Sequence, residues 1–350
     1  MAHSIVGIDI GSRSIRAAEI SDPAKRPTLT RWAEEELPAG AVVNGEVQEP
    51  TTVAQALRRL WSKGKFSTRD VVLGIGNQRV LARDFSIRSM PIEQIREALP
   101  FEARDVLPVP AADAILDFHP IQETRGEHGL VLNGLLVAAV KEAVLGNVRA
   151  VESAGLTPHD VDLIPFALSR SVTAAGAAVG TVAIVDIGAQ TTSTVIARDG
   201  VPQFVRIVPT GGDDITAALQ NQLELDPSHA EGVKRELGIL HTSTTTTVDG
   251  RPAADVIQRV VGEQLTSLRN TIVYYTTSHP NDPVSHLVVT GGGSTLPGLR
   301  EALSELTQLQ VVVAQPLKGV KVARSVNADL ANAARDRMSV AVGLALGWAA

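Results

Sequence analysis

A chain of 350 residues is long enough to bury two sizeable cores, and 44% hydrophobic with 20% charged residues is the balance of a globular protein. Its net charge of −6 argues against the basic surface that nucleic-acid binding requires. Cysteine is absent, which excludes disulfides and thiolate metal sites and fits a reducing compartment. The N-terminus reads as lacking the basic region, apolar core and cleavage pattern of a signal peptide. The longest weakly polar stretch, 172–188, is broken by threonines and glycines and contains Asp186, so it makes a poor membrane span.

The first predicted element is 4–10, whose β-branched density is that of a buried strand, and 14–20 is a second strand. Only Gly11, Ser12 and Arg13 lie between them, so the pair is a hairpin. Asp9 is the anomaly, a carboxylate inside an apolar run. Glycine lets turn amides approach a ligand, and amides and hydroxyls gathered there form a concave site for an anion. A plain hairpin with an aspartate at a strand end explains the stretch equally well.

A helix follows at 51–63 and a short strand at 71–75. After Gly76 the pattern changes. Pro91 opens a helical stretch with Ile92, Ile95 and Leu99 on one face, and Pro100 is expected to kink or divide it. Strands at 114–121 and 130–140 flank a polar loop at 123–129, and a helix at 141–154 leads to a strand at 160–163. Such an insertion reads as a docking surface or as structural padding. Ile92, Ile95, Leu99, Phe101 and Val106 are its apolar candidates, some of which its own helix packing must claim.

Residues 182–200 repeat the opening arrangement: an apolar strand, Asp186, Ile187, Gly188, a small polar turn of Ala189, Gln190, Thr191 and Thr192, then a strand beginning near Ser193. Two Asp-Ile-Gly hairpins half a chain apart predict two related domains facing each other. Gly11–Ser14 and Gly188–Thr192 would then grip a polyphosphate from both sides. Asp9 and Asp186 would repel a bare anion, so a cation is required between them. Magnesium suits, because it keeps several waters and needs only one or two carboxylates plus phosphate oxygens. Chance recurrence of so short a pattern is the alternative.

Further along, Gly211 and Gly212 open a helix that carries Asp213 and Asp214 in its positively polarised first turn. Glu231 and Lys234 stand one helical turn apart, as partners in a site or as a solvated pair. A polar connection at 241–250 suggests no chemistry, and 253–277 is a helix with a core stripe. Last come a strand at 286–290, a flexible turn of Gly291, Gly292 and Gly293 with Ser294 after it, and a helix whose first turn is expected to hold Pro297. Three glycines leave room for a base or ribose, and the following helix start favours negative charge. A strand-to-helix loop of no further consequence has the same look.

Taken in order, the two hairpins and the late glycine loop resemble the phosphate 1, phosphate 2 and adenosine motifs of the actin, Hsp70 and sugar-kinase superfamily. Within it the sequence is most similar to the PilM family of type IV pilus assembly. The likeness covers nearly the whole chain, including "DIGAQTTS" at 186–193, "FEARDVLPVP" at 101–110, "LVAAVKEAVLGNVRAVESAGL" at 136–156, "AEGVKRELG" at 230–238 and "SVAVGLALG" at 339–347. Actin-like relatives more often carry consecutive glycines where Ala189 and Gln190 stand.

The resemblance implies an α/β, actin-like (ribonuclease H-like) two-domain ATPase fold with an inserted 1C-type α+β subdomain. Its expected division is 1–79 for the first part of domain I, 80–160 for the insertion, 161–325 mainly for domain II, and 326–350 for a C-terminal helix returning to domain I. ATP and Mg2+ are the implied cofactors, with Asp9 and Asp186 holding the metal through water and with Glu231 and Lys234 reaching the adenosine. The implied nucleotide contacts are Gly11, Ser12, Arg13, Ser14, Gly188, Ala189, Gln190, Thr191, Thr192, Gly211, Gly212, Gly291, Gly292, Gly293 and Ser294. Where actin-like proteins orient the attacking water, this sequence has Lys141 and Glu142 rather than a clear glutamine. The expectation is ATP binding with weak or conditional hydrolysis, Glu142 being the catalytic candidate.

The implied partner is a short cytoplasmic N-terminal segment of a PilN-type inner-membrane protein, with pilus motor ATPases and self-association as further contacts. Nucleic acid and direct membrane insertion are not expected, and the implied location is cytoplasmic, at the inner face of the membrane through partners. Two alternatives belong to the same superfamily. An FtsA-like filament ATPase would carry a basic amphipathic helix near its end, whereas no basic residue follows Arg337. A small-molecule kinase would need a catalytic aspartate against a substrate hydroxyl, and none is identifiable.

Overall fold

The computed structural model describes residues 4–127, 129–239, 250–327, 329, 331 and 334–348. The polar connection read at 241–250 lies outside the described residues apart from Gly250. The chain begins with β1 (Ser4–Ile10), β2 (Ser14–Ser21), β3 (Thr28–Glu36), the short pair β4 (Val42–Val43) and β5 (Glu46–Val47), α1 (Pro50–Gly64) and β6 (Asp70–Ile75). Next are β7 (Val80–Arg88), α2 (Ile92–Glu102), β8 (Ala114–Gly126) and β9 (Gly129–Val140). They are followed by α3 (Lys141–Ser153), β10 (Thr157–Leu163) and α4 (Ile164–Ala174). The second half holds β11 (Thr181–Ile187), β12 (Thr192–Arg198), β13 (Val201–Val208), α5 (Gly212–Leu223), α6 (Pro227–Leu237), α7 (Gly250–Ser278), β14 (His286–Thr290), α8 (Leu299–Thr307), β15 (Gln310–Val313), β16 (Lys321–Val322) and α9 (Ser339–Gly347).

Two sheets repeat one topology. In the first the order is β10-β6-β1-β2-β3-β16, and in the second it is β13-β12-β11-β14-β15. In each, a three-stranded antiparallel meander is extended by two parallel strands on the side of its first strand. Parallel strands need both faces covered, and the apolar pattern supplies this. Val6, Ile8 and Ile10 face one way onto α1 and α3, while Ile5 joins Ala18 and Ile20 in a central layer with α4 and α9. The second sheet sends Val182 and Ile184 into that same central layer and Ala183, Val185 and Ile187 into a core with α5, α7 and α8. Strand alternation places Asp9 on the face of Ile5 and Asp186 on the face of Ile184. Both carboxylates therefore emerge at strand ends on the central side.

Close approach across this layer depends on glycine. A Cβ on Gly343 of α9 would overlap the Ala167 carbonyl of α4, and one on Gly7 of β1 would overlap the Ala341 carbonyl of α9. Gly343→Ala is expected to force α9 away from α4 and to lower unfolding free energy by about 3 kcal/mol. A denaturant midpoint unchanged from the parent would contradict that packing.

The insertion forms its own antiparallel sheet, β7-β9-β8, covered by α2. Ile95 and Leu99 are fully buried there against Ile87, Phe118 and Leu136. The anticipated limit near 160 differs from what is seen, because β10 pairs in parallel with β6 and α3 packs on the core of the first sheet, leaving 80–140 as the separate unit. Pro100 does not divide α2, which runs on two residues past it to Glu102; the proline leaves one i→i−4 hydrogen bond unmade, and only the last turn lies beyond it. β8 runs on to Gly126 through the polar segment expected to be loop, because its backbone groups pair with β9. Pro297 precedes rather than enters α8, which starts after Gly298 at a φ of +80°.

Candidate functional site

Both hairpins close in the same way. The Gly11 N–H donates to the Ser14 carbonyl at 3.0 Å, and the Gly188 N–H donates to the Thr191 carbonyl at 2.9 Å. Opposite Asp9 in the ladder stands Arg16, whose Nη1 donates to Asp9 Oδ2 at 3.2 Å. Glu34 Oε1 accepts from Arg16 Nε at 3.0 Å and from the Ser14 hydroxyl at 2.9 Å, and Glu34 Oε2 pairs with Arg337 Nη1 at 2.9 Å. The first hairpin turn is thus braced by a residue of β3 and by the segment leading into α9.

Around the second hairpin, the turn docks on the start of α5. Gly212 and Asp213 N–H groups donate to the Gly188 and Ala189 carbonyls at 3.0 and 2.7 Å, and the Thr192 hydroxyl donates to the Thr210 carbonyl at 2.8 Å. A Cβ on Gly211 would lie 2.6 Å from the Gly188 carbonyl oxygen, so the approach requires glycine. Lys234 is buried and donates to the Gly212 carbonyl at 3.1 Å, to the Thr216 hydroxyl at 2.9 Å and to Glu231 Oε2 at 2.6 Å. Burial alone would raise the Glu231 carboxyl, but hydrogen bonds from Lys234, Arg235 and Thr216 overcome it and hold the group at about 2.

Gly291 continues β14 beside β11, at a φ of +87° that favours glycine, and its N–H donates to the Asp336 carbonyl at 2.7 Å. The Ser294 hydroxyl closes the loop onto the Gly291 carbonyl at 2.7 Å. Nothing lies within 4 Å of where a Gly292 side chain would project. The structure therefore gathers the two turns, the Gly211–Gly212 loop with Glu231 and Lys234, and the Gly291–Ser294 loop around one cleft. Glu142 is different. It is exposed in the first turn of α3, and no hydrogen bond or ion pair among the described residues joins it to either hairpin.

The electrostatics of the cleft fit a cation. Burial, followed by the charge on Asp9, pushes the Asp186 carboxyl up to about 7, and burial raises Asp9 against the pull of Arg16. Two buried carboxylates, one of them also hindered by the charge of the other, would be relieved by a divalent ion. Among the described residues no group of three or more His, Cys, Asp or Glu is placed to hold a metal, so an ion here would rely on water and phosphate for its other ligands. Sequence reasoning missed Arg16, Glu34 and Arg337. Arg16 was legible, because a symmetric turn between Ile10 and Ile15 puts it across from Asp9; the other two come from distant strands and a C-terminal segment.

A second concavity, of about 660 Å³, lies at the foot of the insertion between β8, β9, α3, β10 and α4. Ile115, Phe118, Val137, Val144, Val161 and Phe166 supply its apolar wall. Within the wall, His119 stands 4.8 Å from the Phe166 ring, its Nε2 is buried with no partner, and burial lowers its pKa below the ordinary value. The residues expected to dock a partner are mostly spent elsewhere: Ile95 and Leu99 are core, Ile92 and Val106 pack against them, and only Phe101 is broadly exposed at 71%.

Two copies of one sheet topology, each presenting an aspartate and a glycine turn to a common cleft, define an actin-like fold of the ATPase type. MreB 5 of Spiroplasma citri bound to AMPPNP shares this fold, with a TM-score of 0.56 at 11% identity over 91% of this chain and 95% of that one. The cell division protein FtsA of Bacillus subtilis (strain 168) is 23% identical over 360 residues, covering 89% of this chain and 78% of FtsA. The family described as type IV pilus assembly protein PilM matches residues 7–348, and the chain belongs to that family. The solved PilM-PilN type IV pilus biogenesis complex contains a chain similar to this one, with a TM-score of 0.84 at 29% identity over 99% of this chain and 98% of that one. Among the described residues no helix is long and apolar enough to cross a membrane.

Proposed function

We propose that this chain is a nucleotide-binding scaffold of type IV pilus assembly, gripping Mg-ATP between its hairpins and docking a short cytoplasmic N-terminal segment of a PilN-type inner-membrane protein. The opposed Asp9 and Asp186 hairpins carry the reading: each offers a glycine turn and a strand-end carboxylate to the same cleft, and the pair needs a cation between them. A bound Mg2+ would neutralise phosphate charge there, with Asp9 and Asp186 holding its waters. Ser12 and Ser14 of the first turn and Thr191 and Thr192 of the second would contribute hydroxyls or amides to the phosphates. The Gly211–Gly212 loop, Glu231, Lys234 and Gly291–Ser294 would enclose the nucleoside. Hydrolysis in this reading is weak or conditional, because Glu142 must be brought to the cleft by a further movement before it can orient water.

The partner half of the reading is supported by the family's PilM-PilN complex and by the groove under the insertion. A short extended or helical segment gains affinity there by placing apolar side chains in the wall. The insertion sheet also leans on β13 of the second lobe, so an interlobe angle set by nucleotide would be felt at the groove. Such a scaffold sits in the cytoplasm at the inner face of the membrane, held by its partners, and links them to the pilus motors; self-association is a further part of the reading.

The test is calorimetry on the full chain, titrated first with Mg-ATP and then with a synthetic peptide of the PilN-type cytoplasmic segment, each expected to bind at one site. Failure of either titration removes that half of the proposal. Gly292→Trp refines it: Gly292 is exposed and a Cβ there meets nothing within 4 Å, so the thermal midpoint should hold while Mg-ATP affinity falls at least tenfold. Ordinary binding by that variant would take the Gly291–Ser294 loop out of the site.

A further inference from the structure

Four residues join the lobes across the mouth of the cleft. At the tip of the first hairpin, Arg13 grips Asp213 of α5 with Nη2 at 2.8 Å from Oδ1 and Nε at 3.0 and 3.1 Å from the two oxygens. Beside it, the Asn44 N–H, in the turn between β4 and β5, donates to Gln190 Oε1 at 2.9 Å, and Gln190 Nε2 points at Asp213 Oδ2 from 3.4 Å. Gln190 lies in the second hairpin turn, and its side-chain amide is what makes the second bridge. Asp213 is itself fixed, because its N–H is tied to the Ala189 carbonyl at 2.7 Å.

This pair is poorly suited to a purely structural role. The Arg13 side chain is 55% exposed and that of Asp213 21%, so the bridge is wet and contributes little to stability. Asp213 also sits at the start of a helix, next to the turn whose amides would receive phosphate, where a fixed carboxylate opposes an incoming polyanion. A guanidinium prefers a doubly charged phosphate, bound through two parallel hydrogen bonds, to a solvated carboxylate.

We propose that Arg13 is a phosphate ligand held in reserve by Asp213: the Arg13–Asp213 and Asn44–Gln190 bridges clasp the cleft, and a nucleoside polyphosphate opens the clasp by taking Arg13 from Asp213. The proposal rests on the reading of the cleft as a nucleotide site and adds its regulation. Asp213 then acts as an internal competitor of the ligand, and the two partners of one ion pair have opposite effects on binding.

That opposition is the test. Mg-ATP affinity is measured by calorimetry for the parent, Asp213→Asn and Arg13→Gln, with inorganic tripolyphosphate plus magnesium as a second probe. Asp213→Asn is expected to raise affinity for both ligands about threefold to tenfold, and Arg13→Gln to lower it at least tenfold. Because the sequence lacks cysteine, Lys25→Cys and Glu236→Cys provide a unique pair of spin labels, one on each lobe, in all three backgrounds. Without nucleotide, both clasp variants should lengthen and broaden the label distance relative to the parent. Equal losses of affinity in both variants, or label distances that neither variant alters, would overturn the clasp. A parent that binds no Mg-ATP would instead overturn the nucleotide reading, which separates the two failures.

Discussion

Asp186→Asn is expected to abolish magnesium-dependent nucleotide binding and, at alkaline pH, to make the nucleotide-free protein more stable than the parent. Burial and the neighbouring Asp9 raise the Asp186 carboxyl from an ordinary 3.8 to about 7. The folded state therefore binds the extra proton more tightly than the unfolded chain, and stability falls as pH rises from about 4 through 7. Above that window Asp186 is a buried charge repelled by Asp9 and only partly offset by Arg16. Asparagine keeps the shape and removes the charge, a gain on the order of 2 kcal/mol at pH 8 that shrinks toward pH 5. Scanning calorimetry at the two pH values reads the stability, and a titration with Mg-ATP reads the binding, expected to weaken at least a hundredfold. Unchanged affinity would remove Asp186 from the site, and a midpoint at pH 8 no higher than the parent's would contradict the strained carboxylate pair.

Ile115→Asp carries the second large effect, on the partner. Ile115 lies on β8 in the groove wall and is 41% exposed, so a polar residue there leaves the fold intact. The wall already holds Asp117, Asp160 and Asp162, the last raised by burial and countered by Arg170. A further carboxylate would have to be dehydrated against apolar peptide side chains, while Arg96 in the same wall is already paired with Asp117 at 3.1 Å. The expected loss is about 2 kcal/mol, roughly a thirtyfold fall in affinity for the PilN-type peptide. Mg-ATP affinity and the thermal midpoint should not change. Full peptide affinity in this variant would place docking elsewhere on the chain.

The hairpins, the main helices and the duplicated organisation were legible because they rest on local signals: β-branched runs, a three-residue turn on glycine, and a motif that recurs. The closure of both turns on glycine was readable for the same reason. What could not be read was set by long-range register. Glu34 and Arg337 reach the first turn from 20 or more residues away, and their positions depend on β3 pairing with β2 and on α9 returning across β1. The insertion's limit was misplaced because α3 and β10 look locally like the elements before them; only the parallel pairing of β10 with β6 assigns them to the first lobe. Likewise, the apolar stripe of α2 gave no sign of which surface stays free. Ile95 and Leu99 close the insertion's own core, and the open apolar wall comes from five elements that meet only in the folded chain.

The most direct measurement maps where the partner lies. A PilN-type peptide carrying a photo-activatable residue at one apolar position is crosslinked to the full chain with Mg-ATP present, and the attachment sites are read by mass spectrometry. The account predicts attachment on β8, α3 and β10, at residues such as Ile115, Val144 and Val161, competed away by unlabelled peptide and lost in Ile115→Asp. Attachment confined to the second lobe, on β13 or α7, would contradict it.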